Sequence, residues 1–179
     1  MPELKGTKTE ANLAAAFAGE SQARNKYTFY ADVARKNGYE QIAYLFEQTA
    51  DNEKAHAEIW FRLLHGNPDT DRNLSDAADG EKYEFTSMYP TFAEVAREEG
   101  FDHIAKKFEQ VALIEKDHES RFRHLLANIE TGLVFSKQQE DTVWICRNCG
   151  HLAVGKDAPA VCPVCGKPQA YFEQPAKNF

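Results

Sequence analysis

Apolar and polar positions recur with a helical period over the first 130 residues. From 7 to 36, Leu13, Phe17, Glu20, Tyr27, Ala31 and Ala34 fall on one stripe of a helix. Thr7, with Glu10 three residues on, has the form of a capping box at its start, and Asn37-Gly38 ends it. A second helix runs to about His65, with Ile42, Phe46, Thr49, Glu53, His56, Trp60 and Leu63 on one face. Gly66-Asn67-Pro68-Asp69 stops it, and residues 67–75 read as a polar linker. A third helix is expected from Ser75 or Asp76 to about Glu99, bent or re-registered where Pro90 removes a backbone donor. Gly100 separates it from a fourth, over 101–130, that ends at Gly132. From Asp141 onward the chain turns to Cys, Gly and Pro with short β-like runs.

The helical part repeats itself. Shifted by 62 residues, Ala31-Asp32-Val33-Ala34-Arg35 lies over Ala93-Glu94-Val95-Ala96-Arg97, and Phe46-Glu47-Gln48 lies over Phe108-Glu109-Gln110. Glu53 and His56 lie over Glu115 and His118. Upstream the shift falls to 61: Gly19-Glu20 matches Gly80-Glu81, whereas Tyr27 matches Tyr89 at 62. The third helix therefore holds one extra residue between Glu81 and Tyr89, which predicts a π-bulge there.

Each repeat makes a helical hairpin with one amphipathic seam that it cannot bury alone. The fold class expected is mainly α, a four-helix bundle over 1–138 built from hairpins 7–65 and 76–130, followed by a small domain over 139–179. The seams carry acids: Glu20, Glu53 with His56, Glu81, and Glu115 with His118. A lone helical Glu is usually solvated, but Glu53 lies seven residues from both Phe46 and Trp60, and Glu115 seven from both Phe108 and Phe122. Unpaired buried carboxylates cost several kcal/mol each, so cations must hold them together. Glu84, three after Glu81, adds a ligand that the first repeat lacks, since Ala23 stands there. Carboxylate and imidazole donors without thiolate suit a dinuclear iron or manganese site.

Composition narrows the partners. Hydrophobic residues make up 42% of the 179, enough for a core, while the net charge of −7 argues against nucleic acid as partner. No stretch is long and apolar enough to span a membrane, and the N-terminus has no apolar leader, so a cytoplasmic protein is expected.

All four cysteines lie near the C-terminus in two Cys-x-x-Cys-Gly knuckles, Cys146/Cys149 and Cys162/Cys165. In a cytosolic chain this spacing means metal, not disulfides. Four thiolates fit iron or zinc by spacing alone. The neighbouring dinuclear site favours iron, because redox-silent zinc would leave it without an electron source.

Taken together these residues resemble the rubrerythrin family over essentially the whole chain. The resemblance rests on Phe17-Ala18-Gly19-Glu20-Ser21-Gln22-Ala23-Arg24-Asn25, Glu53-x-x-His56, Gly80-Glu81-x-x-Glu84 and Met88-Tyr89-Pro90. Glu115-x-x-His118-Glu119-x-Arg121-Phe122 and the rubredoxin-like knuckles complete it. It implies a ferritin-like diiron bundle with a rubredoxin-like FeS4 domain. The implied diiron ligands are Glu20, Glu53, His56, Glu81, Glu84, Glu115 and His118, with Glu53 and Glu115 bridging. Glu84 and His56 match the pair that exchange at one iron with redox state, and Tyr27 and Tyr89 match tyrosines that hydrogen-bond near the cluster. One further iron is implied on Cys146, Cys149, Cys162 and Cys165, replaceable by zinc on overexpression. The implied activity is hydrogen peroxide reduction in oxidative-stress defence, with electrons from NAD(P)H through a separate reductase or rubredoxin; ferroxidase or iron handling is the alternative. The small domain follows the fourth helix roughly 20 residues beyond its metal ligands, or about 30 Å. That distance predicts a head-to-tail homodimer. A linker of about 9 residues spans at most roughly 30 Å, so exchange of hairpins between chains would relieve its stretch.

Overall fold

The computed structural model describes residues 2–176, in two compact units that divide between Pro68 and Asp69. The first is a helical hairpin of α1 (Lys8–Lys36) and α2 (Glu40–His65). Thr7 caps α1 by accepting from the Glu10 amide at 3.1 Å, and Glu10 reaches back to the Gly6 amide at 2.6 Å, one residue outside the standard capping box. Gly38, at φ 81°, makes the tight turn into α2. Near this turn Ala31, Ala34 and Ala43 pack with Phe46, so the small residues let the helices approach closely.

The second unit begins with α3 (Thr70–Tyr83), a π-helical turn (Glu84–Met88) and α4 (Tyr89–Glu98), all packed on α5 (Asp102–Glu130). The expected extra residue is this π turn: the Tyr89 amide donates to the Glu84 carbonyl, five residues back. Beyond it the repeat is reproduced side chain by side chain. Ala93, Ala96 and Ala105 pack with Phe108, and Gly100 turns at φ 83°. Arg97 pairs with Glu109 as Arg35 pairs with Glu47. Tyr89 and Phe92 lie 6.0 and 5.6 Å from Phe108, as Tyr27 and Tyr30 lie 6.1 and 5.6 Å from Phe46.

Two boundaries differ from expectation. α3 starts at Thr70, not near Ser75, because Asp69 accepts from the Arg72 amide at 3.1 Å and so caps a helix whose first turn is polar. The 67–75 linker shrinks to residues 66–69. The small module takes up the chain at Phe135, before 139: the Ala158 amide bonds the Phe135 carbonyl, Ser136 bridges Asp157, and Phe135 packs on the module's core. Trp60, expected in the core, is only partly buried; its Nε1 is nonetheless shielded and without a hydrogen-bond partner among the described residues.

The module is a three-stranded antiparallel sheet, in the order β2 (Leu152–Val154), β1 (Val143–Cys146), β3 (Phe172–Glu173). Its core is Trp144, Cys146, Ala158, Cys162 and Phe172. Trp144 Nε1 donates to the Gly155 carbonyl at 3.0 Å.

Candidate metal centres

In the first unit, α1 presents Glu20 and α2 presents Glu53 and His56. Residues three apart on a helix share a face, so His56 Nδ1 lies 2.9 Å from Glu53 Oε2 and 3.9 Å from Glu20 Oε1. In the second unit, His118 Nδ1 on α5 lies 2.7 Å from Glu115 Oε2 and 3.5 Å from Glu81 Oε1 on α3. In each triad, one ligand atom from every residue lies within 4.8 Å of the others. Donors that hold a common ion at ~2.1 Å stand up to about 4.2 Å apart, so each triad fits a metal with little adjustment. The carboxylates are the withdrawn partners, with side chains 16% exposed at Glu53 and 14% at Glu115, while His56 sits at the rim at 52%.

The second triad carries electrostatic strain that a cation would relieve. Burial, then the charge of Glu115, holds the Glu81 carboxyl above its usual range, although His118 opposes the shift. The Tyr89 phenol is pushed up by burial and by the charges of Glu84, Glu115 and Glu81. That coupling locates Tyr89 beside the second triad. Glu84 opens the π turn and is partly buried; it lies outside the triad's cluster, but its charge acts on both Glu81 and Tyr89. Tyr27 packs beside Tyr30 and Phe46 in the first unit.

The four cysteines converge as the knuckle spacing requires. Cys146 and Cys165 sulfurs are 3.7 Å apart, Cys149 and Cys162 sulfurs 3.6 Å, and all four lie within 4.8 Å. A tetrahedron of sulfurs at ~2.3 Å from one metal has edges of about 3.8 Å, so the set is already formed for such an ion. Gly150 and Gly166, at φ 77° and 71°, turn the knuckles and return their amides to the Cys146 and Cys162 carbonyls. The thiols share charge unevenly. The Lys167 amide draws Cys165 down to about 6. The His151 amide pulls Cys149 the same way, but desolvation and the other thiols push it up to about 12. A metal cation removes this conflict by letting all four ionise.

Sequence reading missed Asp79 and Arg123, which form an ion pair at 2.6 Å between α3 and α5. The signal was present in the repeat comparison, where Ala18 and Phe61 stand at the matching positions.

Comparison with known proteins agrees with this geometry. Residues 11–126, spanning both triads, match the family model described as rubrerythrin, and 144–173, holding all four cysteines, match its rubredoxin-like domain. Rubrerythrin of Porphyromonas gingivalis is 49% identical over 98% of this chain and 94% of that protein. Rubrerythrin-1 of Clostridium acetobutylicum is 47% identical over all of both chains. Rubrerythrin of Nitratidesulfovibrio vulgaris is 45% identical over 97% of each. The chain thus belongs to the rubrerythrin family, with that family's ferritin-like helical domain, its diiron site and its four-cysteine rubredoxin-like site.

Proposed function

We propose that the chain is a hydrogen peroxide reductase of the NADH peroxidase type, supplied with electrons from NAD(P)H by a separate reductase or rubredoxin. One observation carries this reading: carboxylate–imidazole triads and a preformed four-thiolate site occur in one chain. Iron storage or ferroxidase chemistry gives the thiolate site no task. Glu20, Glu53, His56, Glu81, Glu84, Glu115 and His118 would hold two irons, with Glu53 and Glu115 bridging. Cys146, Cys149, Cys162 and Cys165 would hold the third. When bound, the iron pair would supply two electrons and Lewis acidity, and the iron on the four thiolates would supply one-electron redox chemistry. Reducing hydrogen peroxide to two waters also takes two protons. Tyr89, a phenol that is protonated at neutral pH, can donate a hydrogen bond to a peroxide oxygen, while the two protons come from solvent. Tyr27 is the matching phenol of the first repeat. Glu84 and His56 are the mobile ligands, and the π turn lets Glu84 move without disturbing Glu81 one turn earlier. Thiolates kept for a metal are suited to a reducing setting, and a cytoplasmic location is part of this proposal.

The active form in this reading is a head-to-tail homodimer that exchanges hairpins. In a ferritin-like bundle, the connection between the two hairpins must run back along a helix. Residues 66–69 reach roughly 15 Å, whereas a helix the length of α2, with 26 residues, is about 39 Å long. Each unit also leaves apolar side chains uncovered, among them Ile42, Ile59 and Leu63 in the first and Ile104, Leu113 and Ile114 in the second.

Anaerobic titration of the reduced, iron-loaded protein tests the activity. One peroxide should consume two electrons, and NADH with a reductase should restore them. Protein that oxidises added ferrous iron with oxygen but fails to turn over peroxide would be a ferroxidase instead. Complementation tests the exchange. Glu53→Ala and Glu115→Ala chains, each inactive alone, should regain about half the activity when co-assembled, because one hairpin pair is then intact. No recovery in a verified heterodimer would rule exchange out.

A further inference from the structure

Besides Glu84, the two hairpins differ in a group of residues just ahead of the extra one. In the first hairpin, Phe17 on α1 meets Phe61 on α2 with ring centroids 5.7 Å apart. The matching positions in the second are Ala78, fully buried, and Arg123. Arg123 Nη2 lies 2.6 Å from Asp79 Oδ1 on α3, and its Nε 3.1 Å from Glu119 Oε1 on α5. Ala18 and Ala57 stand where Asp79 and Glu119 would fall, so the first hairpin has no such clamp.

The π turn gives the clamp a task. An inserted residue can slide along a helix, and each residue it passes is rotated by about 100°. If it slid from 84–88 toward the N-terminus beyond Glu81, that carboxylate would swing away from Glu115 and His118. On the C-terminal side, contacts of Tyr89 and Phe92 with Phe108 and the Arg97–Glu109 pair hold the register, as their counterparts do in the first repeat. On the N-terminal side, Asp79 is two residues ahead of Glu81 and is tied to α5 through Arg123.

We propose that Arg123 is a positioning residue for the second half-site: by holding Asp79 to α5, it confines the π turn to 84–88 and keeps Glu81 aimed at Glu115 and His118. This rests on the ligand assignment proposed above. The guanidinium suits the role because its rigid fork serves two carboxylates at once, one on each helix.

The test uses full-length, iron-loaded protein. Arg123→Met keeps the aliphatic stem and removes the fork. It should retain its iron, exchange the amides of 80–88 at least about tenfold faster, and show an altered visible and resonance Raman spectrum from the oxidised iron pair. Its kcat should fall about tenfold or more with KM unchanged. Arg123→Lys, which can serve one carboxylate but not both, should recover part of each effect. Asp79→Asn should move every readout the same way by less, and it stands in if Arg123→Met does not fold. Wild-type exchange over 80–88 together with a wild-type spectrum, in Arg123→Met or in Asp79→Asn, would overturn the proposal. If the wild type itself holds no dinuclear iron, the ligand assignment fails instead, while the exchange measurement still decides whether the clamp fixes the register.

Discussion

His118 Nδ1 lies 2.7 Å from Oε2 of Glu115, one helical turn earlier on α5. The contact follows from helix geometry alone, since the pair occupies i and i+3 on one face. The same nitrogen faces Glu81 Oε1 at 3.5 Å, so His118 Nδ1 and the two carboxylates converge as donors for a metal. Glu115→Ala removes one of the two proposed bridging ligands. Iron per chain should drop from about three to about one, because the dinuclear pair is lost and the four-thiolate ion is kept. Metal analysis with the visible spectrum checks this; three irons retained in the variant would show that Glu115 is not a ligand.

Glu81 makes the metal-free protein sensitive to pH. Its carboxyl is raised by burial and by Glu115, so its ionised form is disfavoured in the fold. A raised pKa contributes stability that is fully present below the unfolded value and is lost as pH rises through the folded one. Urea unfolding of metal-free wild type, referenced to metal-free Glu81→Gln, should therefore show the wild type losing ground as pH climbs through and above the ordinary carboxylate range. Saturating divalent metal should abolish the trend. A wild type that gained on the variant with rising pH would mean Glu81 is stabilised as a carboxylate without metal.

Glu84 separates binding from turnover. It starts the π turn, lies outside the tight triad, and acts electrostatically on Tyr89 and Glu81. Glu84→Ala should keep most of the iron, since six proposed ligands remain, yet lower peroxide turnover by about a hundredfold. The Tyr89 phenol should titrate at lower pH in that variant, as a neighbouring negative charge has gone. Ultraviolet titration with Tyr89→Phe as reference reads this directly. Full turnover in Glu84→Ala would remove the ligand-exchange role.

Much of this was legible in the chain because the repeat displays each feature twice. Matching Glu53 and His56 with Glu115 and His118 identified the triads, and the change in offset between Glu81 and Tyr89 located the π turn. The start of α3 was not legible. Asp69 and the residues to Asn73 are polar, and apolar periodicity begins only at Leu74, so a capped but solvated first turn reads as linker. That difference matters, because it shortens the connection between α2 and α3 to residues 66–69. The Asp79–Arg123 pair was missed for a related reason: exposed charges on a helix carry no apolar periodicity, and only the repeat comparison, with Ala18 and Phe61 at the matching positions, marks the two residues.

The small module depends on its metal more than the hairpins do. Cys146 and Cys162 belong to a buried core whose other members are Trp144, Ala158 and Phe172. So few side chains around three short strands bury too little apolar surface to offset the ordering of the chain. Without a cation, the four sulfurs are also left in conflict, with Cys149 up at about 12 and Cys165 down at about 6. Cys162→Ser, or chelation of the ion held by the four cysteines, should therefore unfold residues 135–176 while leaving the helices intact. Trp144 reports the event, as its ring is buried and its Nε1 bonded to Gly155 in the folded module. In a Trp60→Phe background, which leaves Trp144 as the single indole, its emission should shift to the red on metal loss, with helical circular dichroism nearly unchanged. An indole that stayed shielded after the metal was removed would show that the apolar core holds the module together by itself.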